Sequence, residues 1–567
     1  MFTFEGKTTL KGNALAWRHE PLFADDPLRA WQGLLKARGL HEQDDFFSPA
    51  LANLPDPFLM QDMDKAASRL VQAIMQQEPV HIFGDFDCDG VSGTSILVDA
   101  LRAAGLTVTY SIPHRADDGH GIGVEAVAKA YQAGIRLGIS VDTGTTCLAA
   151  SEEAKRLGFD LMITDHHLPD KTLPQAFALL NPARDDCGFA ERALCGTGVA
   201  FFLLMAVWKK LGEQGRRPDY DLRQLLDRVA MATVADVMRL QGVNRVLVHA
   251  GLRRLRLSPS VGMSALLDSA NVNRQRISVE TIGFYLAPRI NAAGRLAHGE
   301  EAMALLCSAD ADEAKALAAS LDALNIQRRK IETDTFRHAC SKLDAQGENT
   351  PLVVYDTSWH AGVVGLVAGR LARQYGRPAA VGFVEGGGNI RVSLRGVKGF
   401  HIGRLLHDCA DCLTGFGGHA GAGGGTVKEG MWSRFVAVFQ EAVEAQQQSG
   451  AACSVTLCDG VVTLAAMHIG LATRLQKFEP TGQGNPAPLW LLRDVNIVDI
   501  KPLKGGVCRL QLTDGTLFLS AVMFKSGALT NRLAQGQCVS VLGQLKPDDY
   551  RGGNAIQFVI EDVLLDG

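Results

Sequence analysis

The sequence has no apolar run long enough to cross a membrane. Its longest, Phe201 to Trp208, falls far short of the roughly 18–20 residues that a spanning helix needs. The segment Met1-Phe2-Thr3-Phe4-Glu5 lacks the basic-then-apolar layout of a signal peptide, so a cytoplasmic protein without membrane contact is expected. Cysteine is sparse, with 12 in 567 residues, which excludes a disulfide-built scaffold. The CxxC at Cys409–Cys412 has no second pair at metal-like spacing and reads as an ordinary reduced segment rather than a zinc site. A basic excess is missing too: 57 Lys and Arg against 61 Asp and Glu give a net charge of −4. That excludes a protein-wide cationic coat and leaves room for a local basic groove. What is present is globular, 47% hydrophobic and 21% charged, and the length predicts three or four domains.

The first 60 residues mix short helical patterns with loops and read as an N-terminal extension packed on the next domain. From Ala66 the pattern becomes regular. Helical periodicity over Ala66–Gln76, Val91–Ala104, Val124–Ala133 and Leu148–Leu157 alternates with strand-like runs at Pro79–Phe83, Thr107–Ile112, Leu137–Val141 and Asp160–Ile163. Such alternation predicts βαβ units and a parallel sheet, whose ligands bind beyond the carboxyl ends of the strands. Helices dominate from Gly198 to about Asp344, ending in a long pattern over Ala311–Lys342 that reads as a solvated connecting helix. A second α/β pattern opens at Pro351–Tyr355 and runs through Val363–Tyr375 and Ala379–Val384 into a glycine-rich stretch ending at Gly425. After a Gln-rich break at 446–448, residues 488–567 carry five short alternating strands with Gly/Asp turns, the pattern of a small OB-type barrel.

The acids and histidines fall at strand ends. The first strand runs into Gly84-Asp85-Phe86-Asp87-Cys88-Asp89-Gly90, the next regular junction is Val141-Asp142-Thr143-Gly144, and the third is Ile163-Thr164-Asp165-His166-His167. Taken alone, the first has a calcium-like loop or a solvated acidic turn as its lesser alternative, and an EF-hand is disfavoured because no bidentate Glu sits at the twelfth position and no helix precedes. A single strand-end Asp is more often a helix cap than a ligand. Three such junctions with a His-His pair predict a metal site. Asp236, at the end of an apolar helical run, is a fourth contributor, because a buried carboxylate needs a partner or a cation. Mixed carboxylate and imidazole donors suit Mn²⁺ or Mg²⁺, and this many acids can hold two ions for displacement at phosphorus. His81, four residues before Asp85, is either a further ligand or a packed strand residue.

At this point the sequence resembles the DHH phosphoesterase superfamily, through Asp85–Gly90, Asp142 and Asp165-His166-His167. Within it, the ordered set Gly196–Phe201, Thr233–Val237, Pro288–Leu296, Trp359–Gly365 and Phe416–Ala420 resembles the RecJ family of single-strand-specific 5′→3′ DNA exonucleases over nearly the whole chain. The resemblance implies an α/β DHH domain (61–305), a connecting helix (306–347), a smaller α/β DHHA1 domain (348–450) and an OB barrel (451–567) that helps hold single-stranded DNA. It implies metal ligands Asp85, Asp87, Asp89, Asp142, His166 and Asp236, two Mn²⁺ or Mg²⁺ ions, and His167 facing the substrate phosphate. Substrate contacts are implied for Arg115, Arg289, Arg295, His360, Ser393, Arg395, Gly418 and His419, with structural ion pairing the alternative for Arg289 and Arg295. Trp359 is either a stacking residue or plain core.

Some positions depart from the family pattern. Arg391-Val392-Ser393-Leu394-Arg395-Gly396 stands where RecJ sequences have Gly-Ser-Gly/Ala-Arg-Ser, and looks more like the oligoribonuclease and cyclic-dinucleotide branch. Cys88 and Thr143 are also unusual, while every ligand position is filled. The expectation is therefore a metal-dependent exonuclease that releases mononucleotides from single-stranded DNA in recombination and repair. It would be a monomer, fed by a helicase or a single-strand-binding protein. The competing readings are a phosphodiesterase for short RNA or cyclic dinucleotides and a catalytically silent DNA-binding scaffold. With aromatic residues at only 7%, base stacking on the barrel should be sparse.

Overall fold

The computed structural model describes residues 3–11, 13–113, 121–347, 350–448, 455–524, 530–548 and 555–565. Among them, no helix is long and apolar enough to cross a membrane.

Five parallel strands form the first sheet, in the order Val108–Ser111, Val80–Gly84, Leu137–Val141, Asp160–Thr164, Ala178–Leu180. Their near-continuous apolar runs are buried, as an all-parallel sheet covered on both faces requires. Register decides what this sheet can do. Gly84 pairs with Val141, and Val141 pairs with Thr164, so the next residue of each strand, Asp85, Asp142 and Asp165, emerges along one carboxyl edge. The helix after the first strand spans Cys88–Ala103, one turn earlier than its apolar periodicity predicts, because Asp87 caps its first amides.

Helix Ala311–Asp344 is not merely solvated. Ala314, Ala318 and Leu321 in its first half lie in the core of the first unit, and Phe336, Ala339 and Leu343 in its second half lie in the core of the next. At about 1.5 Å per residue it spans roughly 50 Å between the two. The second unit is a five-stranded mixed sheet, ordered Leu413–Gly418, Ala422–Val427, Ile390–Arg395, Ala379–Val384, Leu352–Asp356. The glycine-rich stretch is thus a hairpin. A side chain at Gly418 would collide with the backbone of Gly423 at 2.6 Å. Cys409 and Cys412 are free and buried in this unit's apolar core.

The C-terminal strands Trp490–Leu503, Val507–Thr513, Phe518–Met523, Ile556–Leu565 and Cys538–Pro547 close into a barrel through pairing of the first with the last. The expected N-terminal extension over residues 1–60 is corrected here. Thr3–Thr8 and Ala14–Ala24 are strands of this same barrel-bearing sheet, joined to it through Val455–Val462, which lies parallel to both Ala14–Ala24 and Trp490 onward. Helix Pro27–Ala37 buries Trp31 and Leu34 in the barrel's core. A buried charge cluster holds the two ends of the chain together: Asp459 pairs with Arg18 at 3.2 Å and Arg38 at 2.9 Å and accepts the Leu489 amide at 2.9 Å.

Arg245 joins the barrel-bearing unit to the first unit. From helix Gly242–Leu257 its guanidinium donates to the carbonyls of Phe46, Lys477, Phe478, Glu479 and Pro480 at 2.8–3.1 Å and stacks over Phe46 at 3.9 Å. The Phe478 and Pro480 carbonyls keep the Asn485 amide at 2.8 Å, while Phe46, Lys477 and Glu479 lose this donor if it is removed. Arg245→Met should therefore destabilise the protein by roughly 2–4 kcal/mol and open the junction to limited proteolysis. A thermal midpoint and cleavage pattern indistinguishable from the unaltered protein would refute this role.

Candidate metal centre and substrate cleft

Asp85, Asp87 and Asp89 stand on the turn from the first strand into helix Cys88–Ala103. The turn is tight: a Cβ at Gly90 would lie 2.6 Å from the Asp85 backbone. Asp87 accepts the amides of Asp89 and Gly90 at 2.9 and 3.2 Å, so one of its oxygens serves as the cap. Asp89 is buried and accepts the amides of Gly196 and Thr197, at 2.7 and 2.8 Å, from the N-terminus of helix Gly196–Glu213. That helix end partly offsets the negative charge. Asp142 takes a left-handed conformation at φ 62°, its amide donating to Thr164. The position beside it must be glycine, because a Cβ at Gly196 would lie 2.6–2.9 Å from Asp142. Asp236 ends helix Leu226–Ala235.

His166 binds these elements into one site. Its Nε2 lies 3.0 Å from Asp142 Oδ1, 3.5 Å from Asp236 Oδ2 and 3.8 Å from Asp89. Burial lowers its pKa, leaving a neutral imidazole available as a ligand. Three donor groups have ligand atoms within 4.8 Å of one another: Asp142 with His166 and His167, Asp89 with His166 and Asp236, and Asp85 with Asp87 and Asp142. Asp142 and His166 recur, so the three groups overlap in one pocket. Oδ1 of Asp142 and Oδ2 of Asp236 are buried without a hydrogen-bond partner. Burial, then repulsion from Asp89 and Asp87, pushes the Asp236 carboxyl up to about 8, and the same causes raise Asp142 and Asp87. Divalent cations would relieve both the repulsion and the orphaned oxygens, so the donor set fits them.

His167 behaves differently. Its Nδ1 is hydrogen-bonded to Asp165 at 2.7 Å, which raises its pKa to about 9 and favours the cation at neutral pH. Despite its own burial, Asp165 is held well below the carboxylate range by His167 and the Thr145 amide. In the sequence Asp165 stands only as the head of the His-His run, and its orienting role is not legible there. Neither are the roles of Asn181, which donates to the His167 carbonyl at 2.8 Å, and Asn291, which accepts the Cys88 amide at 2.8 Å. Of the two asparagines, only Asn291 lies inside a stretch that carries the family resemblance. His81 is satisfied by Thr109 and Ser111 at 2.8 and 3.0 Å, so it does not join the donors.

Across the cleft the second unit presents Arg395 and His419. Arg395 donates to Ser393 Oγ at 3.1 Å. His419 follows Gly418 in the hairpin turn and accepts the Gly421 amide at 3.2 Å. Burial lowers its pKa, as do the charges of Arg395, His167 and His401, so it shares a field with the metal-side histidine. Arg295 donates to the Gly362 carbonyl at 3.1 Å and ties the two units at the cleft. Arg289 is paired with Asp322 on the long helix at 2.7 Å. His360 caps helix Ala361–Tyr375 through Nδ1, and Trp359 is buried core with its indole donating to His338. Arg115 lies outside the described residues.

The chain matches the DHH family, N-terminal domain, over residues 79–233, the DHHA1 domain over 349–445 and the RecJ OB domain over 458–562. It is 34% identical over 560 residues to the single-stranded-DNA-specific exonuclease RecJ of Dickeya dadantii, covering 93% of this chain and 94% of that one. The protein of the same name from Escherichia coli is 34% identical, with 88% and 90% covered. The Bacillus subtilis relative is 33% identical, and there the chain spans 64% of the relative's length. Among solved structures, Thermus thermophilus RecJ in complex with Mn²⁺ superposes with a TM-score of 0.79 at 29% identity, covering 97% of this chain and 79% of that one.

Ligation requires the raised carboxyls to lose their protons. Mn²⁺ binding to the metal-free protein at pH 7 should therefore release protons, and affinity should climb with pH until about 8 and then level off. Calorimetry in buffers of different ionisation enthalpy reads this directly. Asp236→Ala should reduce the proton count, and pH-independent binding would contradict the assignment.

Proposed function

The chain belongs to the RecJ family of DHH phosphoesterases, and from that premise we propose that it is a Mn²⁺- or Mg²⁺-dependent exonuclease that hydrolyses single-stranded DNA from the 5′ end to mononucleotides. The observation that carries this reading is the convergence of Asp85, Asp87, Asp89, Asp142, His166 and Asp236 on one buried pocket that faces His419 across a cleft. Bound ions would supply an activated water and screen the charge that builds on the phosphoryl oxygens. The chain's own groups do the rest. Cationic His167, fixed by Asp165, is aimed to donate to a phosphate oxygen, and Arg395 and His419 add donors from the opposite wall. Glycines at 417 and 418 let the backbone approach the same anion.

The barrel supports a grip on longer strands. Lys501 and Arg509 are directly paired across the first hairpin, and Phe518, two-thirds exposed, stands opposite Thr513 on the next strand. Like charges so placed repel each other unless an anion lies between them. Arg509 and Phe518 stand on the second and third barrel strands, whose face OB folds use to bind oligonucleotides. We place the protein in the cytoplasm as a monomer, acting on strands opened by a helicase or coated by a single-strand-binding protein. Sedimentation with and without such a partner tests that arrangement.

The decisive assay is digestion of 5′-labelled and 3′-labelled single strands with Mn²⁺. Immediate release of labelled mononucleotide from the 5′ label alone is expected, with Asp236→Ala reducing the rate by more than about 100-fold. Shortening from the 3′ end would reverse the polarity, and turnover of dinucleotides alone would transfer the protein to the short-RNA branch. Replacing both Lys501 and Arg509 with Ala should weaken binding of long strands, lower the salt slope by about two, and leave dinucleotide turnover unchanged. An unaltered salt slope would remove the barrel face from the path.

A further inference from the structure

Helix Ala287–Leu296 grips the metal-bearing turn from outside. Cys88 opens helix Cys88–Ala103, where the first amides have no carbonyl one turn back to receive them. The Asp87 side chain takes the amides of Asp89 and Gly90, and that of Cys88 donates instead to Asn291 Oδ1 at 2.8 Å. Further along, the same helix meets the other flank of the turn: a Cβ at Gly294 would lie 2.5 Å from the Phe86 carbonyl oxygen. Phe86 and Cys88, the two neighbours of Asp87, are therefore held by one element. Ile290, Ala292 and Ala293 of that helix are fully buried in a close-packed interior, so it shifts as a body or not at all.

The same helix also bears on the second unit. Arg295, one turn after Asn291, donates to the Gly362 carbonyl at 3.1 Å, and a Cβ at Gly362 would collide with the Arg295 carbonyl. Gly362 stands at the start of helix Ala361–Tyr375, where its amide donates to the capping His360. About 6 Å of α-helix, at 1.5 Å per residue, thus separates the second unit's contact from the side chain that fixes the turn. The acceptor is also suited to its place. An Asn oxygen satisfies the Cys88 amide without adding a carboxylate to a cluster whose members already repel one another.

We propose that Asn291 is a positioning residue for the metal centre. It ties the Asp85–Asp89 turn to the helix on which the second unit bears, so the spacing of the donors depends on that unit being seated at Gly362. The assignment rests on the metal-dependent exonuclease reading, and Asn291 acts through the turn rather than on the strand or the ions.

The test uses the full chain carrying Asn291→Leu, which removes the acceptor at similar volume, Asn291→Asp, which keeps one, and Gly362→Ala, which wedges the contact. Calorimetry on metal-free protein should show Mn²⁺ affinity falling on the order of 10- to 100-fold in Asn291→Leu. At saturating Mn²⁺ its kcat should also fall, with KM for a long single strand unchanged, and Asn291→Asp should recover kcat. A part in packing alone would lower the thermal midpoint and leave the Mn²⁺ affinity of the folded protein where it was. Gly362→Ala should weaken Mn²⁺ binding from the other unit, and combining it with Asn291→Leu should cost less than the product of the two single effects. Unaltered Mn²⁺ affinity in Asn291→Leu would overturn the positioning role, and independent, multiplying effects in the double variant would overturn the link to the second unit. Should the unaltered protein bind Mn²⁺ but cleave no strand, the exonuclease reading fails while the calorimetry still decides the role of Asn291.

Discussion

Mutual repulsion among buried carboxylates governs the centre of this protein. Register in a parallel sheet delivers Asp85, Asp142 and Asp165 along one edge, and two helices bring Asp89 and Asp236 against them. Left alone, so many acids in low dielectric would bind protons, as the raised Asp236 carboxyl does. The fold offsets part of the cost with backbone dipoles. The helix beginning at Gly196 gives two amides to Asp89, and the helix beginning at Cys88 gives two to Asp87. It offsets another part by giving Asp165 to His167, which separates one carboxylate from the donor set and makes a cation of its partner. The remainder is left for divalent ions.

The same electrostatics divides the labour of two adjacent histidines. His166 and His167 are consecutive in sequence, but one is buried among the clustered carboxylates and the other is more than half exposed. Neutral imidazole suits a metal, and imidazolium suits a phosphate oxygen. The difference is set by which carboxylate each ring meets, because only Asp165 accepts a short hydrogen bond from a ring nitrogen.

Much of this is legible in sequence because it depends on short-range pattern. Alternating apolar runs reveal the parallel sheet, and acids at strand ends reveal the donor cluster, since the residue after a buried strand must emerge at its carboxyl edge. The N-terminal strands are not legible. Ala14–Ala24 pairs with a strand some 440 residues later, and nothing local in its sequence announces a partner so distant. The glycine-rich hairpin is also hidden, because strands of small residues lack the apolar alternation that reveals others. Arg289 shows the converse limit: a guanidinium beside a catalytic motif invites a phosphate, but the long helix places Asp322 within 2.7 Å of it.

A cleft between two units has a useful width only if the units cannot drift. Three devices act on this. The long helix buries each of its halves in a different core, so it behaves as a shared strut rather than a tether. At the cleft itself a Cβ at Gly362 would stand 2.3 Å from the Arg295 carbonyl, so the backbones of the two units are in direct contact and glycine is required there. On the far side, Arg245 fills the junction with the barrel-bearing unit by satisfying five carbonyls at once. A single-residue contact, a shared helix and a cation-filled joint together fasten the units. On the exonuclease reading proposed above, a strand that is narrow and flexible enough would run from the barrel to the donor cluster. A duplex, being wider and stiff, would meet walls that these contacts hold in place, so selection by geometry would arise from how the domains are fastened as well as from what lines them.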